Sequence, residues 1–256
     1  MTFGLIGYPL SHSFSQGYFT NKFAQLGLAD THRYRNFAIE DFRGFGEIMA
    51  EYPDIRGLNV TIPHKRNVIP YLDELDPVAE RIGAVNCITV DEAGKMKGFN
   101  TDYLGFRDDF LSELTHHQSA LTKETLAGQQ ALVLGTGGAS LAVHEGLRSL
   151  GIITQAVSRR AGTGQITYGD VTPELLHAHL IVINTTPLGM SPKVEGFPDL
   201  PYADLSQEHF CYDLVYNPAE TAFLRKARAA GASGANGMGM LERQAEAGWK
   251  IWTGEG

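Results

Sequence analysis

The sequence has little cysteine: two residues in 256, Cys87 and Cys211, neither spaced from other ligands as a metal site requires. That excludes a disulfide-stapled fold. Both lie in apolar, strand-like runs, which reads as reduced core thiols in a reducing compartment. Basic residues are also short, 21 Lys and Arg against 29 Asp and Glu, a net charge of −8. This excludes a surface built for nucleic acid or an anionic membrane. An anionic small ligand remains open wherever cations cluster. No apolar run approaches the roughly 20 residues of a membrane span. Met1-Thr2-Phe3-Gly4 begins no basic stretch followed by an apolar one, so no signal peptide is expected and the expected location is cytoplasmic. There is no internal repeat and no low-complexity tract.

What is present is an ordinary globular composition, 43% hydrophobic and 20% charged. The length allows one large or two small domains with a sizeable core. Residues 3–7 and 34–39 read as strands. Phe19, Phe23 and Leu26 recur at i, i+4 and i+7, which predicts a helix ending near Gly27. Residues 41–49 and 77–82 predict two more helices, the latter opening on proline. Residues 83–90 lead into another strand, with a hairpin turn at 91–94. This alternation predicts an open α/β sheet. Residues 116–126 are polar and weakly periodic, and read as a connection between domains.

Three stretches carry chemistry. Asn59-Val60-Thr61-Ile62-Pro63-His64-Lys65 alternates as a strand and stops at proline, which has no N–H for a ladder. Lys65 therefore stands just past a strand end, where α/β folds commonly build sites. Most lysines are simply solvated, but a second polar strand end follows at Gly98-Phe99-Asn100-Thr101-Asp102, and we expect Lys65 and Asp102 to share one pocket. Asp102 can also cap the helix carrying Leu104, Phe106, Phe110 and Leu111. Upstream, Tyr8-Pro9-Leu10-Ser11-His12-Ser13-Phe14-Ser15 is a polar turn in which Ser13 or Ser15 can cap a helix or bond a polar ligand.

The third stretch runs from an apolar strand, residues 131–134, into Gly135-Thr136-Gly137-Gly138-Ala139-Ser140 and then a helix marked by Leu141, Val143, Leu147 and Leu150. This is the strand–turn–helix setting of a dinucleotide fingerprint, with Ser140 at the third glycine position. The glycines allow a tight turn and close approach of a pyrophosphate to the helix N-terminus. The next strand, residues 153–157, ends in Ser158-Arg159-Arg160, and Arg159 lies 24 residues past Gly135 (159 − 135). NAD enzymes carry an acid about 20 residues on, for the ribose 2′-hydroxyl. Arginines there instead match a 2′-phosphate, so the implied cofactor is NADP. Apolar strands at 180–184 and 211–215 read as buried on both faces. A strand-like 232–236 follows a helix marked by Phe223, Leu224 and Ala227, and residues 237–252 open and form the closing helix.

Taken in order, these motifs resemble the shikimate dehydrogenase family. The matching stretches are residues 7–15, 59–65, 83–86, 100–102, 135–140, 184–190, 213–218 and 237–244. They run in family order from about residue 4 to residue 249. The resemblance implies an α/β protein with an N-terminal substrate domain on a mostly parallel sheet, residues 1–102 plus 237–256, and a Rossmann-like NADP domain, residues 103–236, with a cleft between. The implied reaction is the reversible, NADPH-dependent reduction of 3-dehydroshikimate to shikimate, in chorismate and aromatic amino acid biosynthesis, by a monomer or homodimer without a metal. Ser13 and Ser15 would hold the substrate carboxylate. Thr61, Asn86, Asp102 and Gln244 would hold the ring hydroxyls, with Asn59 and Tyr216 nearby. Lys65 and Asp102 would be the catalytic pair. Gly135, Thr136, Gly137, Gly138 and Ala139 would cradle the pyrophosphate, Ser158, Arg159 and Arg160 the 2′-phosphate, and Leu214 and Gly237 the nicotinamide end.

The residue types fit that chemistry. Hydride transfer to a carbonyl carbon grows negative charge on oxygen, which an ammonium can neutralise and protonate, as general acid or as cationic hydrogen-bond donor. The chain departs from the family where only Ala161-Gly162-Thr163-Gly164 separates Arg160 from the next strand, so a helix is missing there. Tyr103 also replaces a small residue after the aspartate. Two other readings stay open: a quinate/shikimate dehydrogenase accepting NAD, which needs an acid at the second strand's end that this chain lacks, and a non-catalytic NADP- or shikimate-sensing homologue, which could dispense with Lys65 or Asp102.

Overall fold

The structure, a computed structural model, describes residues 1–10, 13–117 and 121–255. Ser11 and His12 of the serine-rich turn, and residues 118–120 of the polar stretch, lie outside the described residues. Two compact units divide the chain: Met1–Thr101 with Ala245–Gly256, and Asp102–Gln244. The second boundary falls inside the last helix.

The first unit runs β1 (Thr2–Gly7), α1 (Phe14–Gln25), β2 (Arg33–Ala38), α2 (Phe45–Glu51), β3 (Ile55–Val60), β4 (Glu74–Leu75), α3 (Pro77–Ile82), β5 (Cys87–Val90) and β6 (Met96–Phe99). Its sheet has the order β2-β1-β3-β5-β6-β4. Three of the five pairings are parallel; β5 is antiparallel to both β3 and β6. The helix predicted over residues 41–49 is split. Asp41 accepts from the Arg43 amide at 3.0 Å and caps a 3₁₀ turn, Phe42–Gly44, before α2 begins. A side chain that bonds its neighbouring backbone competes with the helix ladder.

Alternation in the strands sends Ile6, Leu58, Val60 and Ile88 to one face, where Phe42 and Phe45 pack. Phe3 and Leu5 face the other way, onto Phe19, Phe23, Tyr34, Ala245 and Trp249. The end of the chain is thus part of this core. Trp252 donates its indole N–H to the Ile88 carbonyl at 2.9 Å, and Gly57 lies so close beneath that a Cβ there would stand 2.5 Å from the ring nitrogen.

The second unit runs α4 (Asp102–His116), β7 (Gln130–Leu134), α5 (Gly138–Ser149), β8 (Ile153–Ser158), β9 (Gln165–Thr167), α6 (Pro173–Ala178), β10 (Ile181–Asn184), β11 (Phe210–Asp213), α7 (Ala222–Ala229), β12 (Ser233–Asn236) and the start of α8 (Met238–Thr253). The strand order is β12-β11-β10-β7-β8-β9, and every pairing is parallel. The chain builds outward one way from β7, then returns and builds the other way from β10. The carboxyl ends of β7 and β10 therefore flank a topological switch point, where open α/β sheets leave a crevice. Both faces are covered: Phe106, Phe110, Val143 and Leu147 pack on Ala131 and Val133, while Leu176, Phe223 and Leu224 pack on Leu132 and Leu134.

The polar stretch at 116–126 is not a connection between the units. Leu121 and Leu126 are buried in the core with Phe110 and Ala131, so it loops within the second unit. Two leucines in a polar run suffice to dock it, a signal that helical periodicity does not register. After Arg160 there is indeed no helix: the chain turns at an isolated bridge between Gly162 and Gln165 and enters β9 directly. Among the described residues, no helix is long and apolar enough to cross a membrane.

The ends of β10 and β11 are tied by a fully buried carboxylate. Asp213 accepts from Asn184 Nδ2 at 2.8 Å, from the Val215 amide at 3.0 Å and from Thr221 Oγ1 at 2.6 Å. Burial nevertheless prevails over these three donors and pushes its pKa from 3.8 up to about 6. The folded state therefore holds this proton over a window in which the unfolded chain has released it, and stability falls as pH rises through it. At about 1.4 kcal/mol per pH unit the loss is roughly 3 kcal/mol between about pH 4 and pH 6, and it is flat above. Urea unfolding across that range, compared with Asp213→Asn, should show the fall in the parent and not in the variant; parallel curves would contradict it.

Candidate functional site

In the first unit the predicted residues gather at the carboxyl end of β3. Asn59 is 5% exposed and Asn86 3% exposed, and buried amides must find partners. Asn59 Oδ1 accepts from the Tyr34 hydroxyl at 2.7 Å, and Asn59 Nδ2 donates to the Asn86 carbonyl at 3.4 Å. Asn86 Oδ1 accepts from the Thr101 amide at 2.6 Å, and its Nδ2 donates to Thr101 Oγ1 at 3.0 Å. Because the Tyr34 proton is committed to Asn59, its oxygen accepts from the Ser15 hydroxyl. Burial raises the phenol well above its ordinary range, so it stays a neutral donor. One hydrogen-bonded run thus joins Ser15, Tyr34, Asn59, Asn86 and Thr101. Tyr34 escaped the motif reading; its only signal was that a tyrosine buried in a strand needs a partner for its hydroxyl.

The two serines separate. Ser13 is the N-cap of α1, its oxygen accepting from the Gln16 amide at 3.3 Å, which leaves its own proton for another acceptor. Ser15 is not the cap. After Val60 the chain leaves the sheet at Thr61, whose amide donates to the Ile6 carbonyl at 2.8 Å. His64, 1% exposed, anchors the turn by donating from Nε2 to the Ile39 carbonyl at 2.6 Å. The half-buried Lys65 follows, its carbonyl oxygen accepting from the Val85 amide at 2.8 Å. The lysine is therefore carried on a turn fixed at both sides.

In the second unit, β7 runs into the glycine turn at the switch point. Gly135 has a φ of 103°, and a Cβ there would stand 2.8 Å from Thr185 Oγ1, so only glycine fits. Gly137 caps α5 with no side chain over the helix end. An uncapped helix N-terminus suits an anion. Ser140, at the third glycine position, is 2% exposed and turns its hydroxyl back onto the Gly137 carbonyl at 2.6 Å. A cavity of about 440 Å³ opens here, lined by Gly135, Thr136, Gly137, Ser158, Arg159 and Tyr168 with residues 185–188. A second hollow is walled by Ser158, Arg159 and Arg160.

Tyr168 was not foreseen. The missing helix brings it in: Ser158 pairs with Thr167 in the β8–β9 register, so the next residue stands beside the arginine. Burial raises its pKa, with the Arg159 charge opposing. Thr185 and Thr186 also line the wall, held by the Leu134 carbonyl at 2.6 Å and by Asn184 Oδ1 at 2.7 Å. These residues fit a dinucleotide carrying an extra phosphate: glycines at the turn, a bare helix end, and two exposed guanidinium groups at the strand end. Leu214 and Gly237 lie against each other, where a Cβ on Gly237 would stand 2.3 Å from the Leu214 carbonyl oxygen. Tyr216, 36% exposed, is on the loop beyond β11. Among the described residues no group of three His, Cys, Asp or Glu could hold a metal ion.

Asp102 and Gln244 lie on two helices that pack at Gly105. Asp102 is the first residue of α4 and 8% exposed. One turn on, Gly105 faces α8 so closely that a Cβ would stand 2.7 Å from the Met240 carbonyl oxygen and 2.8 Å from Gln244 Cβ. Gln244 Nε2 donates to the Leu241 carbonyl at 2.9 Å. Lys65 belongs to the first unit and Asp102 to the second.

Residues 5–88 match the family model of the shikimate dehydrogenase substrate binding domain. The shikimate dehydrogenase (NADP(+)) of Halothermothrix orenii is 36% identical over 271 residues, covering 98% of this chain and 90% of that protein. The shikimate 5-dehydrogenase of Thermus thermophilus, solved with NADP(H) and shikimate, superposes with a TM-score of 0.83 at 31% identity, over 99% of this chain and 94% of that one. The quinate dehydrogenase of Corynebacterium glutamicum, solved with NAD, superposes with a TM-score of 0.86 at 26% identity, over 99% and 94%. With identity at this level spanning almost its whole length, the chain belongs to the shikimate dehydrogenase family.

Proposed function

We propose that this protein is an NADP-dependent shikimate dehydrogenase, reversibly reducing 3-dehydroshikimate to shikimate in the cytoplasm for aromatic amino acid biosynthesis. The observation that carries this reading is the cavity at the switch point, where Ser158 and Arg159 occupy the strand end at which an NAD enzyme would carry an acid. The quinate dehydrogenase solved with NAD is similar in fold, but this chain offers no carboxylate at that position. Most of the groups assigned to the hydroxy acid lie in the first unit, and those assigned to the nucleotide in the second.

Bound NADPH supplies the hydride. The chain's own groups do the rest. Lys65 hydrogen-bonds the carbonyl oxygen and neutralises the charge that grows on it as the carbon is reduced, then leaves a proton there. Asp102 accepts from the substrate hydroxyl and orients it. Ser13 donates to the substrate carboxylate, since the cap uses its oxygen as an acceptor and not its proton. Ser15 stands beside it, oriented through Tyr34. Thr61, Asn86 and Gln244 take the ring hydroxyls, with Asn59 and Tyr216 near them. Gly135 to Ala139 cradle the pyrophosphate, Ser158 to Arg160 the 2′-phosphate, and Leu214 and Gly237 border the nicotinamide.

Two variants test these roles separately. Lys65→Ala should keep shikimate affinity within a few-fold while turnover falls roughly 10²–10⁴-fold, as loss of a placed proton donor does. Turnover near the parent rate would remove the lysine from the chemistry. Arg159→Ala should raise the KM for NADP about tenfold or more, because a charge-assisted pair to the 2′-phosphate is lost. The KM for NAD should not move; an equal rise for both cofactors would contradict the assignment.

A further inference from the structure

We propose that Asp109 is a positioning residue: its buried carboxylate locks the seam between α4 and α8 and so holds Gln244 beside Asp102. This rests on the reading above, in which Gln244 and Asp102 hold the substrate's ring hydroxyls.

Asp102, Gly105 and Asp109 stand at i, i+3 and i+7 along α4, on one face of the helix. That face meets the opening turns of α8. Gly105 touches the backbone of Met240 and Gln244, and two turns below Asp102 the Asp109 carboxylate sits directly under Gly239, where a Cβ would stand 2.0 Å from Oδ1. The carboxylate is 3% exposed. Its Oδ2 accepts from the Tyr212 hydroxyl at 2.6 Å and its Oδ1 from Arg243 Nε at 3.1 Å. Tyr212 is fully buried, and burial together with the carboxylate drives its pKa well up, so it remains a donor.

One side chain therefore ties α4, which carries Asp102, β11, which leads directly into Leu214, and α8, which carries Gln244. A buried carboxylate stripped of partners is strongly unfavourable. Sliding α8 by a single residue, about 1.5 Å, would pull Arg243 and the Gly239 notch away from it. The seam thus has one register, and Gln244, next in sequence to Arg243, inherits it. The function as read above makes no use of Asp109, Tyr212 or Arg243, and both oxygens of the carboxylate already accept from protein donors.

A merely structural ion pair would make a different prediction from a lock acting through Gln244. Calorimetric titration of shikimate into the parent, Asp109→Asn, Gln244→Ala and the double variant separates them. Asp109→Asn should weaken shikimate binding about tenfold in the parent background and less than about twofold once the Gln244 side chain is gone, the coupling expected of groups in one network. NADP+ affinity, read on the same proteins, should stay within about twofold. Arg243→Met, which leaves the Tyr212 bond intact, should reproduce the pattern with a smaller loss, and serves if Asp109→Asn folds poorly. Equal factors in both backgrounds, or shikimate and NADP+ affinities falling together, would show that the carboxylate only holds the fold. A parent that takes up no shikimate would overturn the functional reading itself, and this inference with it.

Discussion

The second unit depends on how closely two helices meet. Gly105 gives up a side chain so that the backbone of α8 can lie on α4, and this brings Gln244 to within one turn of Asp102. Glycine in a helix interior costs about 1 kcal/mol relative to alanine. The contact it permits sets the positions of two polar groups from parts of the sequence more than a hundred residues apart. α8 then continues into the first unit, where Ala245 and Trp249 join the core beneath β1. A single helix therefore contributes to both cores.

Each unit solves the same problem at its strand ends. Polar groups that leave a sheet must be satisfied without closing the crevice they border. In the first unit a run of amides and hydroxyls, from Ser15 to Thr101, does this by spending most of its donors internally. In the second, Asn184, Thr186, Thr221 and Asp213 do it around the ends of β10 and β11. What remains outward-facing is selective: a bare helix end, two exposed arginines, a serine proton not used by its own cap. The ligand chemistry follows from what these networks leave over.

Much of this was legible in the sequence because it is local. The glycine turn between an apolar strand and a helix, and arginines in place of an acid after β8, are short-range signals with one physical meaning each, whereas β3 ends at Val60, short of the Pro63 expected to stop it. The strand at residues 3–7 was also legible, and Leu5 and Ile6 fall on opposite faces of its sheet. What was not legible is what depends on a distant partner. Tyr34 reads as one more strand aromatic until Asn59 is seen 2.7 Å away. Tyr168 reads as a strand end until the β8–β9 register sets it beside Arg159. Leu121 and Leu126 are too few to mark an element, yet both reach the core. Gly105 left a faint trace, a glycine inside an otherwise periodic helix, which is a packing signal when nothing else explains it.

The central claim is that these units handle a phosphorylated nicotinamide cofactor and shikimate. The most direct measurement is the initial rate of nicotinamide reduction, followed by absorbance, with shikimate or quinate paired in turn with NADP+ or NAD+. Shikimate with NADP+ should be the fastest pair. Quinate with NAD+ outpacing it, or no reduction with any pair, would contradict the account.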